Sequence, residues 1–179
     1  MEIKSKMREI EIEKVVLSIS GSGEAIEKGV KLLELISERK AARKKSRKRI
    51  PSLNVRPGLE VGVMVTLRKE KAKEMLKKII IANNNEVKES QISGDSLSFG
   101  IKEYIEIPGI KYQREIGIIG FDVSIAFARK GKRVGRRKIK RGRIPKRQRI
   151  SKEEIVEYLN KMGIKVIGGL KWVHETGKS

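Results

Sequence analysis

The chain has 179 residues, a net charge of +21, no cysteine and a single histidine. These counts exclude disulfides and thiolate catalysis, and they leave no histidine pair for acid–base catalysis or zinc binding. No apolar run reaches the 18 residues of a membrane span, and the charged N-terminus lacks a signal-peptide core. We therefore expect a soluble cytoplasmic protein that is not an enzyme and has no cofactor and no bound metal.

The first half of the chain alternates strands with helices. Apolar residues recur at every second position over 8–20, with a shift of phase that indicates a β-bulge, and again over 61–67. Amphipathic helices are predicted over 24–38 and 69–82, and three asparagines at 83–85 end the second one. Each element therefore has one apolar side to bury.

The second half begins with two further strands. Alternating apolar residues predict strands over 96–107 and 116–128, with a Pro-Gly loop between them. Ser151 and Glu154 form the sequence signature of a capping box, which predicts a helix from that point. A short closing strand is predicted over 164–167.

The predicted order of elements is β, α, β, α, β, β, α, β, with apolar residues at alternate strand positions. Strict alternation is typical of a sheet that is covered on one face only. The sequence therefore predicts an α+β fold: a two-layer sandwich whose mainly antiparallel sheet has helices on one face and leaves the other open. We expect a single domain over 1–167 and a flexible C-terminal tail over 168–179, to which we assign no function.

The uncovered face of this sheet is predicted to carry small, hydroxylated and basic side chains. Such side chains would let a phosphate backbone approach closely, although ordinary solvated strand positions have the same composition. Both interpretations stay open at this point. The positions are Gly62, Met64, Thr66 and Arg68 on one strand and Ser98, Gly100 and Lys102 on another.

The net charge comes from two short stretches. Residues 39–49 hold eight lysines or arginines and residues 129–149 hold thirteen, with no acid in either run. The remaining twenty-two basic residues are balanced in charge by twenty-two acidic residues, so the rest of the chain is neutral. Concentrated cationic segments bind polyanions, because neutralised phosphates release their counterions. RNA, DNA and an anionic membrane surface all remain possible from charge alone.

The two basic runs differ in what surrounds them. The run 39–49 has no periodicity and predicts a loop or ragged strand ends. The run 129–149 lies between a strand and a capped helix and contains Gly131, Gly135 and Gly142, which favours a basic hairpin or loop extension over a disordered tail. Arginine exceeds lysine there by eight to five, which suits bidentate phosphate contacts. Free of RNA, we expect its like charges to leave it mobile.

Composition narrows the choice of polyanion. One Trp, three Tyr and three Phe provide little stacking for single-stranded bases, so structured RNA bound by shape and backbone is favoured. A membrane is disfavoured, because neither basic run has a companion apolar face. We interpret Glu9, Glu11 and Glu13 as the polar side of the first strand and not as a metal or catalytic cluster.

Four segments together resemble a known family. They are MREIEIEKVVL (7–17), IPSLNVRPGLEVGVMVTLR (50–68), SFGIKEYIEIPG (98–109) and IGFDV (119–123), in the same order as in the universal large-subunit ribosomal protein five family. The basic segment RVGRRKIKRGRIPKRQRISKEE is similar to the archaeal and eukaryotic version, which eukaryotic nomenclature calls protein eleven. The resemblance covers about residues 7–167.

The resemblance implies a structural constituent of the large ribosomal subunit that binds 5S ribosomal RNA (5S rRNA) and anchors it in the central protuberance. It also implies contact with large-subunit rRNA, the elbow of the P-site tRNA, a small-subunit head protein across an intersubunit bridge, and other proteins of the central protuberance. By motif, Thr66 of VTLR would contact 5S rRNA from the open sheet face, with Arg68 beside it, and Arg56 would face RNA. The loop 44–57 would approach tRNA and the loop 107–115 the small subunit.

Two positions depart from the family pattern. Ser18 stands where the family has an asparagine that contacts RNA, and Leu53 stands where an aromatic residue is often found. We keep Ser18 as a candidate contact. The candidate cations are Lys44, Lys45, Arg47, Lys48 and Arg49 in the first run, and Arg133, Arg136, Arg137, Lys138, Lys140, Arg141, Arg143, Lys146 and Arg147 in the second.

A non-ribosomal nucleic-acid chaperone or architectural RNA-binding protein is the alternative function. Such a protein would use the same basic runs, but it would bind RNA without regard to its identity. An RNA-modifying enzyme is a more distant alternative, since the chain lacks the side-chain constellations of catalysis.

Overall fold

The computed structural model describes residues 6–168, and the predicted tail after Gly168, which includes the single histidine, lies outside the described residues. Helices and strands alternate through most of this range. The strands are β1 (Ile10–Ser20), β2 (Ala42–Lys45), β3 (Glu60–Leu67), β4 (Glu86–Lys88), β5 (Ile92–Ser93), β6 (Ser96–Ile101), β7 (Phe121–Arg129) and β8 (Lys165–Ile167). The helices are α1 (Glu24–Ser37), α2 (Glu70–Ala82), α3 (Arg133–Arg136) and α4 (Lys152–Lys161).

Six of the strands form one antiparallel sheet in the order β2-β3-β1-β7-β6-β5. β1 lies inside the sheet, so that Ser18 is opposite both Met64 of β3 and Asp122 of β7. β4 and β8 form a separate parallel pair. The mainly antiparallel α+β fold predicted from the alternation of apolar residues is confirmed.

The hydrophobic core lies between the sheet and the helices. Every second residue of the central strands is fully buried, as at Leu17 and Val123. Helix α1 packs on β1 and β3, and α2 packs on β1. Tyr158 of α4 meets Phe127 of β7 edge to face, with 5.8 Å between the ring centroids. The alternate residues on the opposite side of the sheet, such as Ser98 and Asp122, are exposed.

The bulge predicted in the first strand lies at Glu13. Ile12 pairs with Phe127 and Lys14 with Ala126, which leaves Glu13 as an extra residue between two paired positions. A bulge of this kind lets the apolar residues before and after it face the same side of a sheet and points the extra side chain elsewhere. The phase shift seen in the sequence therefore has a structural cause.

Two predicted helix boundaries are confirmed by backbone geometry. Asn84 and Asn85 adopt left-handed φ angles of 56° and 58° directly after α2, which stops the helix. At the start of α4, Ser151 Oγ accepts a hydrogen bond from the Glu154 amide at 3.3 Å. The Glu154 carboxylate accepts one from the Ser151 amide at 3.1 Å, so both halves of the capping box are present.

The strands predicted over 96–107 and 116–128 are shorter than expected. β6 ends at Ile101 and β7 begins at Phe121. Tyr104, Ile107 and Ile116 are buried from the loop between them. Because these loop residues are apolar and packed into the core, their spacing resembles a strand in the sequence alone.

Two short strands were not predicted, and a third realises one of two alternatives left open by the sequence. β4 and β5 are only three and two residues long, too short for a periodic pattern. β2 lies in the first basic run, where a loop or ragged strand ends were expected, and it pairs with β3 as an edge strand whose four residues are all exposed. An edge strand with two exposed sides has no apolar alternation to detect, and its charges discourage pairing with another chain.

The strand register puts the two basic runs at opposite ends of the sheet. Lys45 of β2 pairs with Glu60 at the start of β3, close to the end of β1. Arg129, where the second run begins, pairs with Ile10 at the start of β1. The uncovered side of the sheet lies between these two ends.

Candidate nucleic-acid interface

The uncovered side of the sheet, which we call the open face, is built by the alternate residues of four neighbouring strands. Their side chains project away from the helices because the residues between them are in the core. Antiparallel pairing aligns them in rows across the strands. The open face comprises Val16, Ser18, Ser20, Met64, Thr66, Ser98, Gly100, Asp122 and Ser124.

One row of the open face is rich in hydroxyl groups. Thr66 is paired with Val16, Val16 with Ser124, and Ser124 with Ser98. The Oγ atoms of Ser98 and Ser124 are 3.1 Å apart and hydrogen-bonded to each other. Thr66 is half-buried, so its position is fixed by neighbouring atoms while part of it is accessible. The row can donate and accept hydrogen bonds without carrying charge.

The next row contains an acid that sequence reasoning did not select. Met64, Ser18, Asp122 and Gly100 are aligned across β3, β1, β7 and β6. Asp122 is exposed, and Gly100 keeps the space beside it open, since a methyl group there would lie 3.4 Å from Asp122 Oδ1. A carboxylate repels phosphate, so this spot suits hydrogen-bond donors of a base or a ribose hydroxyl.

Arg68 lies at the end of β3, exposed, between Leu67 of the strand and the first turn of α2. Gly62, predicted on the same face, is buried instead. A methyl group on Gly62 would come within 2.9 Å of the Ile19 carbonyl oxygen, so glycine is required there by the close approach of β1. Of the two, only Arg68 is available to a partner.

The first basic run and the loop 46–58 form a hairpin arm with β3. Lys44 and Lys45 lie in β2, and the loop folds back through hydrogen bonds from the Ser46 amide to the Leu59 carbonyl at 2.8 Å and from the Gly58 amide to the Ser46 carbonyl at 2.9 Å. Leu53, at its tip, is 69% exposed. The other candidate cations of this arm, all exposed, are Arg47, Lys48, Arg49 and Arg56.

The loop 107–115 lies at the same end of the sheet as this arm. The buried Tyr104 holds it from inside, because its hydroxyl oxygen accepts a hydrogen bond from the Gln113 amide at 3.0 Å. On the outside, Glu115 pairs with Lys31 of α1 at 2.8 Å. The hydrogen bond and the charge of Lys31 lower the pKa of Glu115 below its usual range, and the same contact raises the pKa of Lys31. Tyr112 is left 54% exposed.

We call the second basic run, residues 129–149, the extension. A hairpin or a loop was expected here, and the structure shows a loop. After Arg129 ends β7, the chain makes the single-turn helix α3 and returns through turns. A backbone hydrogen bond from the Gly142 amide to the Val134 carbonyl, 3.1 Å long, joins its two limbs. Gly135 and Gly142 allow this closure, since methyl groups there would lie 3.0 Å and 2.7 Å from Ile144 and Val134.

Acidic residues of the body contact the first part of the extension. Lys130 lies 3.1 Å from Glu9 and 3.2 Å from Glu11, and these hydrogen bonds raise the pKa of Lys130. Glu13 pairs with both Lys132 and Arg136. The interpretation of the three glutamates as a plain polar strand side is thus incomplete, because each holds a cation more than 100 positions away in the chain.

The first and last parts of the extension are joined to α4 by a further ion pair. Arg129 Nη2 donates to both carboxylate oxygens of Glu154 at 2.5 Å, and its side chain is only 7% exposed. Arg129 Nη1 also lies 3.4 Å from the Arg147 carbonyl oxygen. Glu154 therefore has two roles, as the capping residue of α4 and as the partner of a buried arginine.

Most predicted cations of the extension are exposed and lack an acidic partner within 4 Å among residues 6–168. Arg136 is the exception, because it is paired with Glu13. The exposed cations without such a partner are Arg133, Arg137, Lys138, Lys140, Arg141, Arg143, Lys146, Arg147 and Arg149.

Within the described part of the chain, no three histidine, cysteine or acidic side chains come close enough together to hold a metal ion. The helices described there are all too short or too polar to cross a bilayer. The described residues form a mostly uncharged, hydroxyl-bearing sheet surface with concentrated cations at both ends, which is suited to holding a structured polyanion.

A family model and individual known proteins match this chain, and the two kinds of match agree with each other. A family model described as the C-terminus of the ribosomal L5 family matches residues 60–164, more than half of the chain. The chain is similar to large ribosomal subunit protein uL5 of Nanoarchaeum equitans, with 42% identity over 90% of this chain and 98% of that protein. The uL5 proteins of Picrophilus torridus and Archaeoglobus fulgidus are 39% and 36% identical over 92% and 90% of this chain, and over 97% and 92% of their own length.

Proposed function

Because this chain belongs to the ribosomal uL5 family, we propose that it binds 5S rRNA through the open face and anchors it in the central protuberance of the large subunit. The family is a structural, non-enzymatic component of the large ribosomal subunit, so the chain is an RNA-binding protein of translation, located in cytoplasmic ribosomes. The proposal concerns which RNA it holds and with which surface.

The observation that carries the proposal is the row of uncharged hydroxyl groups on a rigid, uncovered sheet. Thr66, Ser124 and Ser98 are aligned across four neighbouring hydrogen-bonded strands, with Val16 of β1 between the first two. Groups fixed on strands meet an RNA surface at set spacings, so they favour a matching RNA over others. Ribose hydroxyls and phosphate oxygens are suitable partners for such a row.

Arg68 at the margin of the open face, and Ser18 and Asp122 within it, support the same assignment. Arg68 is exposed at one end of β3, where it can neutralise a phosphate of an RNA lying on the face. Ser18 occupies the centre of the next row beside Asp122. A serine hydroxyl there can still accept or donate a hydrogen bond, while Asp122 would reject a phosphate and accept from a base or ribose.

The extension supplies affinity in this proposal. Its exposed cations can neutralise phosphates of large-subunit rRNA, and each neutralised phosphate releases counterions whatever the sequence. The hairpin arm, with Arg56 and the cations of the first basic run, would face the P-site tRNA. The loop 107–115 would face a small-subunit head protein, and the remaining exposed surface would meet other proteins of the central protuberance.

A gel-shift titration with 5S rRNA and a length-matched unrelated duplex RNA tests the proposal. We expect tighter binding to 5S rRNA, and a log–log salt slope of roughly −4 to −7 if about five to eight phosphates are neutralised. Equal affinity for the two RNAs would contradict the proposal and favour the alternative, a nucleic-acid chaperone that binds RNA without regard to identity.

A further inference from the structure

We propose that Glu13 is a positioning residue, which fixes the orientation of the extension on the protein before RNA is bound by holding Lys132 and Arg136. The proposal rests on the proposed function in one respect, because it gives the extension a part in RNA binding. It differs from the expectation based on charge alone, which was a mobile extension in the absence of RNA, because one acid holds two of its cations.

The position of Glu13 suits this role. It is the extra residue of the β1 bulge, between the paired residues Ile12 and Lys14. A bulge re-aims the side chain of its extra residue and is itself held rigidly by the pairing on either side. The Glu13 side chain is only 10% exposed, so its carboxylate is fixed in place and shielded from solvent.

Glu13 joins two points of the extension at once. Lys132 Nζ lies 2.8 Å from Glu13 Oε2, as an ion pair without the angle of a hydrogen bond, and 3.3 Å from Asp95 Oδ2. Arg136 Nη2 contacts the other oxygen of Glu13. Lys132 and Arg136 precede and end α3, so one carboxylate fixes both ends of this single helical turn.

Between its points of attachment to the body, the extension has no buried residue that could fix its orientation. None of residues 137–143 is buried, and Ile139 is 77% exposed. A cleft of about 1100 Å³ is lined by residues of both the extension and the body, among them Val134, Ile144 and Met7. A segment without a packed core can be oriented only by its points of attachment.

The charges of the extension sort accordingly into two sets. Arg129, Lys130, Lys132 and Arg136 are paired with acids near the body. The other nine cations of residues 129–149 have no acidic partner within 4 Å among the described residues. The charge of Glu13 thus serves orientation and leaves the outer cations available to phosphate.

Removing the Glu13 charge distinguishes orientation from simple electrostatics. A protein with one acid fewer is more cationic, so electrostatics alone predicts tighter binding to any RNA. If Glu13 orients the extension, Glu13→Gln instead weakens binding. The extension must then lose conformational entropy when RNA binds, and this loss reduces the free energy of binding. The two explanations predict changes of opposite sign.

The first measurement needs no RNA. The chain has no cysteine, so Ile139→Cys accepts a single nitroxide label whose mobility is read by electron paramagnetic resonance. We expect Glu13→Gln and Arg136→Gln to increase the label's mobility, and Arg136→Lys, which keeps a cation opposite Glu13, to restore most of the wild-type spectrum. Circular dichroism confirms that each variant is folded, and Arg136 is 48% exposed, so its replacement spares the core.

The second measurement uses RNA and a matched control. Glu11→Gln makes the same change of charge on the same strand, but Glu11 is 55% exposed and Lys130 keeps Glu9 as a partner. We expect Glu13→Gln to bind both 5S rRNA and unrelated duplex RNA about five- to tenfold more weakly than wild type, and Glu11→Gln to bind equally or slightly more tightly. Unchanged label mobility, or tighter binding by Glu13→Gln, would overturn the proposal. Equal wild-type affinity for both RNAs would instead refute the proposed 5S function, while the label and duplex results would still decide the role of Glu13.

Discussion

The open face and the extension are opposite kinds of surface on one molecule. The open face consists of side chains fixed on hydrogen-bonded strands, mostly uncharged, with a hydroxyl pair at Ser98 and Ser124. The extension is a loop with exposed cations and no buried residue between 137 and 143. Fixed uncharged groups can discriminate between RNA shapes, whereas exposed cations neutralise phosphates of any RNA. We therefore expect selectivity from the first surface and most of the affinity from the second.

The largest effect should come from removing charge from the outer extension. Replacing Arg137, Lys138, Lys140 and Arg141 together by glutamine should weaken binding to every RNA on the order of 10²–10³-fold at physiological salt, if each neutralises one phosphate. The salt slope should become shallower by roughly 3 to 4. Gel shifts on duplex RNA at several salt concentrations measure both quantities.

A matched control removes the same charge from the helical layer. Lys28 of α1 and Lys71, Lys77 and Lys78 of α2 are exposed on the side of the sheet away from the open face. Their replacement by glutamine should change the salt slope far less. An equal loss in the two variants would mean that only the net charge matters, and the comparison between surfaces would fail.

The next effect concerns the rigidity of the open face. A methyl group on Gly120 would lie 2.7 Å from the carbonyl oxygens of both Ile101 and Lys102, so Gly120→Ala must displace backbone next to Asp122. We expect the free energy of unfolding to fall by about 1–3 kcal/mol, and the preference for 5S rRNA to fall with it. Urea denaturation measures the first and competition gel shifts the second.

Gly100→Ala provides the control for that change. Its methyl group would lie 3.4 Å from Asp122 Oδ1, an ordinary contact with a side chain that can move. Its stability should stay close to that of the wild type. If both alanine variants were equally stable, the close backbone approach at Gly120 would not constrain the face.

A smaller effect isolates a single hydroxyl group. Thr66→Val keeps the shape of a half-buried strand residue and removes its hydrogen-bonding capacity. We expect about tenfold weaker binding to 5S rRNA, because a polar group of the RNA loses its partner, and no change for duplex RNA. Thr66→Ser, which keeps the hydroxyl, should bind like the wild type; weak binding by Thr66→Ser would indicate packing, not hydrogen bonding.

The smallest effect lies outside both surfaces. Glu115 has a lowered pKa through its hydrogen bond with Lys31, so this pairing is present above the usual glutamate range and is lost as pH falls through the lowered value. Lys31→Met should return the pKa of Glu115 towards its usual range, as measured by NMR titration of its carboxyl carbon. Affinity for both RNAs should be unchanged at pH 7, because neither residue belongs to the open face or to the basic runs; weaker binding would show that Lys31 also contacts RNA.

The sequence predicted the parts of the molecule that depend on local periodicity. Alternation in β3 predicted that Thr66 lies on the open face. The same alternation in β7 could have identified Asp122 and Ser124, since they flank Val123, which is buried. The capping box at Ser151 is also a local pattern. Such features follow from residues two to four positions apart.

Features that join distant segments could not be predicted in the same way. A shift of phase in the sequence indicated the bulge. It did not show that Glu13 is the extra residue of the bulge, or that Lys132 and Arg136 pair with Glu13. The parallel pairing of β4 with β8 joins two three-residue segments. These contacts depend on how the sheet brings chain ends together, which periodicity does not encode.

The most direct test of the central claim is the ratio of affinities for 5S rRNA and unrelated duplex RNA in two variants measured side by side. One carries Thr66→Val and Arg68→Gln on the open face, and the other carries the four glutamines in the extension. We predict that the first variant loses most of the preference for 5S rRNA, while the second binds both RNAs more weakly and keeps the wild-type ratio. Equal loss of the ratio in both variants would contradict the separation of selectivity from affinity.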